Sequence, residues 1–214
     1  MYKRQPLGSR TKLTLPDGTL VWLNAGSRIT YSQGFGVGNR KIELIGEGYF
    51  EVKRNEEVPF LVKTNSLLVK VLGTKFNFRD YPDDAEAIVS LSEGKVALNN
   101  LLKKEKEAFL LPNERVVLNK KNGRMHVEYS TVSNALQWTN GYLFFDEELL
   151  PDVVKELERS YNVKIQIASD TLNTFRFYGN FVHREQNIQE VLEALSATRK
   201  IHYIIEGHLS LIHI

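Results

Sequence analysis

The sequence predicts a mainly β N-terminal domain, roll-like or sandwich-like, followed by a small α+β domain of two βαβ units. Three observations carry this. Short alternating apolar–polar runs, separated by turn signals, fill residues 8–130. The apolar spacing switches to a helical period near residue 138. The charge changes sign at the same place: residues 1–137 hold 21 Lys and Arg against 15 Asp and Glu, and residues 138–214 hold 7 against 11. The expected domains are therefore 8–130 and 138–214.

The elements follow in order. Leu13 and Leu15, then Pro16-Asp17-Gly18, then Leu20 and Trp22 read as a hairpin. Lys41 to Leu44 and Tyr49 to Val52 alternate on either side of Gly46-Glu47-Gly48. Further strands are expected at 60–64, 67–71, 76–79, 87–91, 95–98, 108–111, 115–118 and 125–129. Many short strands with regular turn signals indicate an all-β domain. Gly18, Gly46, Gly73 and Gly94 fall at the turn signals, where a positive φ is accessible mainly to glycine.

Beyond 138 the pattern differs. Leu150, Val153, Val154, Leu157 and Tyr161 share one face of a helix. Pro151 is tolerated in its first turn, where a missing N–H costs nothing. Asn162 ends it. Val163 to Ile167 alternates as a strand, and Phe175 to Phe181 is another. Ile188, Val191, Leu192 and Leu195 form a second helical face, with Asn187 and Glu190 spaced as a capping box. Ile201, Tyr203 and Ile205 alternate again. The two stretches resemble one another at an offset of 38, so each is expected to be one βαβ unit. Both helices are expected to cover one side of a single five-stranded sheet. The opening Met1-Tyr2-Lys3-Arg4-Gln5 and closing Ser210-Leu211-Ile212-His213-Ile214 read as extraneous, non-native tails.

Composition narrows the function classes. The absence of cysteine removes zinc–thiolate sites, disulfides and thiol nucleophiles. A net charge of +2 means that composition alone gives no strong pull toward nucleic acid or acidic membranes. His126, His183, His202, His208 and His213 form no metal-ligand spacing, and Ser9, Ser27, Ser90 and Ser92 lie in no nucleophile elbow. Glu43, Glu47 and Glu51 recur every fourth residue, but on a strand. Gly34, Gly36 and Gly38 lead into a strand, not a helix, so they read as a loop and not a phosphate cradle. The run Lys103 to Glu107 reads as a solvated hairpin tip. Trp22 and Trp138 read as packing residues, with stacking on sugars or bases as the alternative. No catalytic residue, cofactor site or metal site is expected, and the chain is read as a non-enzyme.

Four motifs narrow the reading further. Leu15-Pro16-Asp17-Gly18-Thr19-Leu20-Val21-Trp22-Leu23-Asn24-Ala25-Gly26-Ser27 resembles the opening of FecR-like proteins from Bacteroidetes. So do Gly46-Glu47-Gly48-Tyr49-Phe50-Glu51-Val52, Val71-Leu72-Gly73-Thr74-Lys75-Phe76-Asn77 and Leu91-Ser92-Glu93-Gly94-Lys95-Val96. Trp138 to Val163 resembles the C-terminal domain of the same proteins, which is similar in layout to the short N-terminal signalling domains of TonB-dependent transducers and secretins. The resemblance spans residues 8–205. It implies the periplasmic part of an anti-sigma regulator whose full-length form is anchored in the inner membrane. The implied partner is the periplasmic domain of a TonB-dependent outer-membrane transporter. A sigma factor would be held only by a cytoplasmic segment absent from this sequence, as the membrane helix is. The alternative is a periplasmic carbohydrate-binding β domain, which would need several aromatic residues on one exposed face.

The expected partner surface lies on the strand Thr174-Phe175-Arg176-Phe177-Tyr178-Gly179-Asn180-Phe181. Phe175, Phe177, Gly179 and Phe181 alternate toward the core. Arg176, Tyr178 and Asn180 then face outward, where an exposed Tyr beside an Arg suits protein recognition. The competing reading is that this face packs on the β domain.

Overall fold

The structure is a computed structural model and describes residues 1–206 and 209–213. The chain divides into two compact units. The first comprises Met1–Pro6 and Arg10–Leu136, and the second Leu7–Ser9 and Gln137–Ile214.

The first unit is built from thirteen strands: β1 Tyr2–Arg4, β2 Thr11–Thr14, β3 Leu20–Leu23, β4 Arg28–Tyr31, β5 Lys41–Glu51, β6 Phe60–Lys63, β7 Leu67–Val71, β8 Lys75–Asp80, β9 Glu86–Glu93, β10 Val96–Asn100, β11 Ala108–Leu110, β12 Glu114–Asn119 and β13 Met125–Tyr129. They form one hydrogen-bonded sheet folded into two leaves that share β5. Lys41–Glu43 pairs in parallel with β6, and Arg28 to Tyr31 of β4 lies antiparallel on the other side. Farther along, Gly46–Glu51 pairs with β8, and Leu20–Leu23 of β3 flanks it. One leaf runs β1-β4-β5-β6-β7-β10-β11 and the other β2-β3-β5-β8-β9-β12-β13. Their inward residues form one core, including Ile42, Phe60 and Leu98 from the first leaf and Phe50, Phe76, Phe78 and Leu91 from the second. Alternation along each strand follows from the two-residue side-chain period. The phase in β3 is the reverse of the one read from Leu20 and Trp22: Val21 and Leu23 enter the core, while Leu20 and Trp22 lie on the outer side. All four are apolar, so alternation offered no choice.

The change of leaf occurs at Gly46. Its φ is +96°, and an added Cβ would lie 2.5 Å from Ser27 Oγ and 2.9 Å from Ser27 Cα, so only glycine fits. Gly73 differs from expectation. It has no positive φ, and its need is for space, since a Cβ would approach the Arg54 backbone and side chain to 2.7–2.9 Å. In the glycine loop, Phe35 is buried in the core against Tyr31 and Phe60, which fixes a segment read only as a loop. A short helix, α1 (Val132–Leu136), packs on β9 and closes the unit.

The second unit contains β14 Tyr142–Leu149, α2 Leu150–Tyr161, β15 Lys164–Ile167, β16 Arg176–Val182, α3 Ile188–Ser196, β17 His202–Glu206 and β18 Leu209–His213. Helix α2 begins with Pro in its first turn and ends at Asn162 in the left-handed region, φ +54°. Helix α3 starts with the expected capping box: Asn187 accepts from Glu190 N–H, and Glu190 accepts from Asn187 N–H. Each unit is a strand, a helix and a strand, but the strands do not form one five-stranded sheet. β14 pairs antiparallel with β16, while β15, β18 and β17 form a separate sheet. One core of fourteen buried apolar residues joins both helices to residues of both sheets. The 38-residue offset has a direct spatial meaning, because the matched residues Leu143 and Phe181 are cross-strand partners. The two repeats therefore meet at a local two-fold relation along β14 and β16.

The segments read as extraneous tails carry strands. Tyr2–Arg4 pairs with β4, and Leu209–His213 is the central strand of its sheet, parallel to β15 and antiparallel to β17. Leu209, Leu211 and His213 carried too little flanking pattern to reveal a strand whose role is set by two distant partners. His208 and Ile214 lie outside the described residues.

Candidate functional site

Polar residues from three of the four glycine-rich motifs converge: Asn24 and Ser27, Glu47, and Asn77. Glu47 is only 4% exposed. Asn24 Nδ2 donates to its Oε2 at 2.9 Å, and Asn77 Nδ2 donates to its Oε1 at 2.8 Å. The Glu47 backbone N–H donates to Ser27 Oγ at 2.8 Å, and Ser27 Oγ lies 3.2 Å from Tyr81 Oη. Tyr81 Oη donates to the Ala25 carbonyl, and Arg10 Nε donates to Asn24 Oδ1, both at 2.8 Å. A buried carboxylate requires such partners, because desolvation without them is costly. The network ties the β3–β4 turn, the leaf change in β5 and strand β8 together. Glu47 is thus engaged as an acceptor in a structural joint, while Glu43 of the same periodic set is exposed on the other leaf. Sequence reading treated these motifs as turns and packing. The signal for the network was Asn24, Ser27, Glu47 and Asn77, polar residues inside otherwise apolar, glycine-rich stretches. Nearby, the Tyr49 phenol is pushed up to about 12, first by burial and then by the Glu51 carboxylate.

The second place of interest is β16. Arg176, Tyr178 and Asn180 are exposed and share one face, while Phe177 and Phe181 are buried. At Gly179 an added Cβ would lie 2.7 Å from the Phe181 ring, so a side chain there would displace that ring. Tyr178 is 65% exposed. Its phenol is raised above its ordinary value, first by desolvation and then by the Glu147 carboxylate. Opposite it, β14 carries a bulge between Phe145 and Glu148, and Glu147 has φ +58°. Arg176 Nη1 donates to the Glu147 carbonyl at 2.6 Å. Arg176 therefore fastens the bulge, a role that sequence alone could not show because the bulge is not visible as a motif. The face so formed is mixed: Asp146, Glu147 and Glu148 are exposed beside Tyr178, and Tyr142, Phe144 and Val182 are half-buried on it. Among the described residues, β14 and β16 pair only with each other, so each presents an unpaired backbone edge.

The remaining candidates disperse. His183 Nε2 lies 2.6 Å from the Ser160 carbonyl, with its ring 4.7 Å from that of Tyr161, and His126 and His202 are exposed. Among the described residues no group of three His, Asp or Glu is placed to hold a metal ion. Trp138 is buried, and Trp22 is packed by Tyr49 and by Lys12, whose Nζ sits 4.3 Å over the ring. Among the described residues, the exposed large aromatics of the first unit, Phe109 and Tyr129, stand on different leaves, and Tyr178 is the exposed one of the second unit.

Residues 4–97 match the FecR protein family, and residues 142–212 match the FecR C-terminal family. Two crystal structures of a proposed anti-sigma factor from Parabacteroides distasonis ATCC 8503 are similar throughout. Each has a TM-score of 0.91 and 32% identity over 100% of this chain and 98% of the other. No curated protein matches the chain. Fold and sequence together define a regulatory protein of the anti-sigma class. The chain belongs to the FecR family. Among the described residues no helix is long and apolar enough to cross a membrane.

Proposed function

We propose that this chain is the periplasmic signal-receiving part of a membrane-anchored FecR-like regulator. Its input would be the periplasmic signalling domain of a TonB-dependent outer-membrane transporter. Its output, through a cytoplasmic segment of the full-length protein, would be control of an extracytoplasmic-function sigma factor. The observation that carries this reading is the β14–β16 face: Arg176, Tyr178 and Asn180 stand exposed on a two-stranded sheet with unpaired edges. A partner strand could add to such an edge, with backbone hydrogen bonds supplying affinity and Tyr178 supplying a recognition anchor.

The test is calorimetric titration of this chain with the periplasmic signalling domain of the transporter encoded beside its gene. Arg176 is a poor first target because its loss also releases the bulge. Tyr178→Ala combined with Asn180→Ala leaves the bulge contact in place and is expected to weaken binding about tenfold or more. A folded double variant with unchanged affinity removes this surface from the proposal. No binding by the wild type removes the transporter as partner.

A further inference from the structure

The two leaves of the first unit treat their cations differently. On the leaf containing β8 and β12, Lys75, Arg79, Arg115 and Lys120 pair with Glu93, Asp84, Glu128 and Asp80 respectively. On the outer side of the other leaf, Arg28, Lys41, Lys63, Lys70 and Lys95 are exposed, and among the described residues none of them forms an ion pair. Glu43 is the lone carboxylate at the outward strand positions of β4, of residues 41–45 of β5, and of β6, β7, β10 and β11.

Strand register places these cations on one surface. Lys41, Leu61, Lys70, Ala97 and Phe109 are successive cross-strand partners, so their side chains share a face. Lys63 pairs across from Glu43, and Arg28 lies opposite Ile45 in the neighbouring rows. Lys95 reaches the same side, with its Nζ 4.6 Å over the Phe109 ring. Arg28 and Lys63 also border one shallow hollow there. At the margin, Phe109 is half exposed, and the β10–β11 loop adds exposed Leu101 and Leu102, followed by the mixed-charge run Lys103, Lys104, Glu105, Lys106 and Glu107.

We infer that this leaf is a docking face for an anionic phospholipid surface. Unpaired cations spread over several adjacent strands form a broad array, which suits an extended sheet of phosphates better than a single ligand. Each Lys or Arg near an anionic membrane adds favourable attraction that decays over the Debye length. Phe109, Leu101 and Leu102 supply the apolar contact that turns long-range attraction into interfacial binding. An acidic protein surface would need matching carboxylates at fixed positions, whereas a sheet of phosphates meets a spread array in any register.

The test is flotation of the full chain with vesicles of phosphatidylcholine alone and of phosphatidylcholine mixed equally with phosphatidylglycerol. Binding is expected only to the anionic vesicles and is expected to fall with added salt. The combined change Lys41→Glu, Lys63→Glu and Lys70→Glu should weaken it about tenfold or more, because each reversal replaces attraction by repulsion. The control, Lys12→Glu with Lys75→Glu on the other leaf, should leave it unchanged. All variants are compared at equal thermal stability, and these exposed sites leave the core untouched. Absence of binding to anionic vesicles overturns the inference, as does binding that survives the triple change. Self-association that the triple change abolishes, without vesicle binding, assigns the face to a second copy of the chain and also overturns it.

Discussion

At the scale of single residues, the motif glycines and the motif polar groups act as one construction. Gly46 turns β5 from one leaf to the other only because Ser27 occupies the space where a side chain would sit. That same Ser27 accepts from Glu47 N–H, and Glu47 in turn orders Asn24 and Asn77. Gly46→Ala therefore meets two penalties, a positive φ and a contact with backbone that cannot swing aside. It should destabilise the first unit by about 2–4 kcal/mol, read as a lower midpoint in urea with little change in slope. A loss below 0.5 kcal/mol, as is usual for unconstrained surface positions, would mean that the strand relaxes and that the joint is not as rigid as its geometry indicates. The glycine was legible in the sequence as a turn signal. Its reason was not, because Ser27 is nineteen positions away and nothing local marks it as the neighbour.

At the scale of elements, legibility followed the length of the pattern. α2 and α3 each carry an apolar face over two or more turns, and both appear where the spacing puts them. Strand β4 has only Ile29 and Tyr31 to announce it and went unread, and β18 was mistaken for a tail. The bulge in β14 was invisible for a related reason: Asp146, Glu147 and Glu148 look like a polar turn, and only pairing with β16 shows them to be an irregular strand. Capping chemistry is the clearest local signal in the second unit. Asn187→Ala removes an acceptor from Glu190 N–H and should cost about 1 kcal/mol, whereas Asn187→Ser should retain most of it. Thermal melts of the two variants check this. Equal stability of the two would show that α3 is held by Val191, Leu192 and Leu195 alone and that its cap contributes nothing measurable.

At the scale of the whole molecule, the question is whether each unit is a folding unit. The first encloses twenty-five buried apolar residues in one cluster and the second fourteen in another. Each cluster is a hydrophobic core belonging to one unit, the feature that lets a domain fold by itself. The division is not clean in sequence, because Leu7–Ser9 belongs with the second unit and Gly8 N–H donates to the Arg159 carbonyl at 2.8 Å. A fragment of residues 137–214 loses that bond, a cost of about 1 kcal/mol against a core that stays complete. We therefore predict that residues 137–214 and residues 10–136, expressed separately, each unfold cooperatively, and that limited proteolysis of the full chain cuts first around residues 130–140. The 137–214 fragment should be the less stable of the two because its core is smaller and it lacks Leu7–Ser9. A dispersed amide spectrum for each fragment is the expected result. A collapsed spectrum for 137–214 that a peptide of residues 5–11 restores would place the missing stability in that short segment. Collapse that the peptide leaves unchanged would show that the second unit folds only as part of the whole chain.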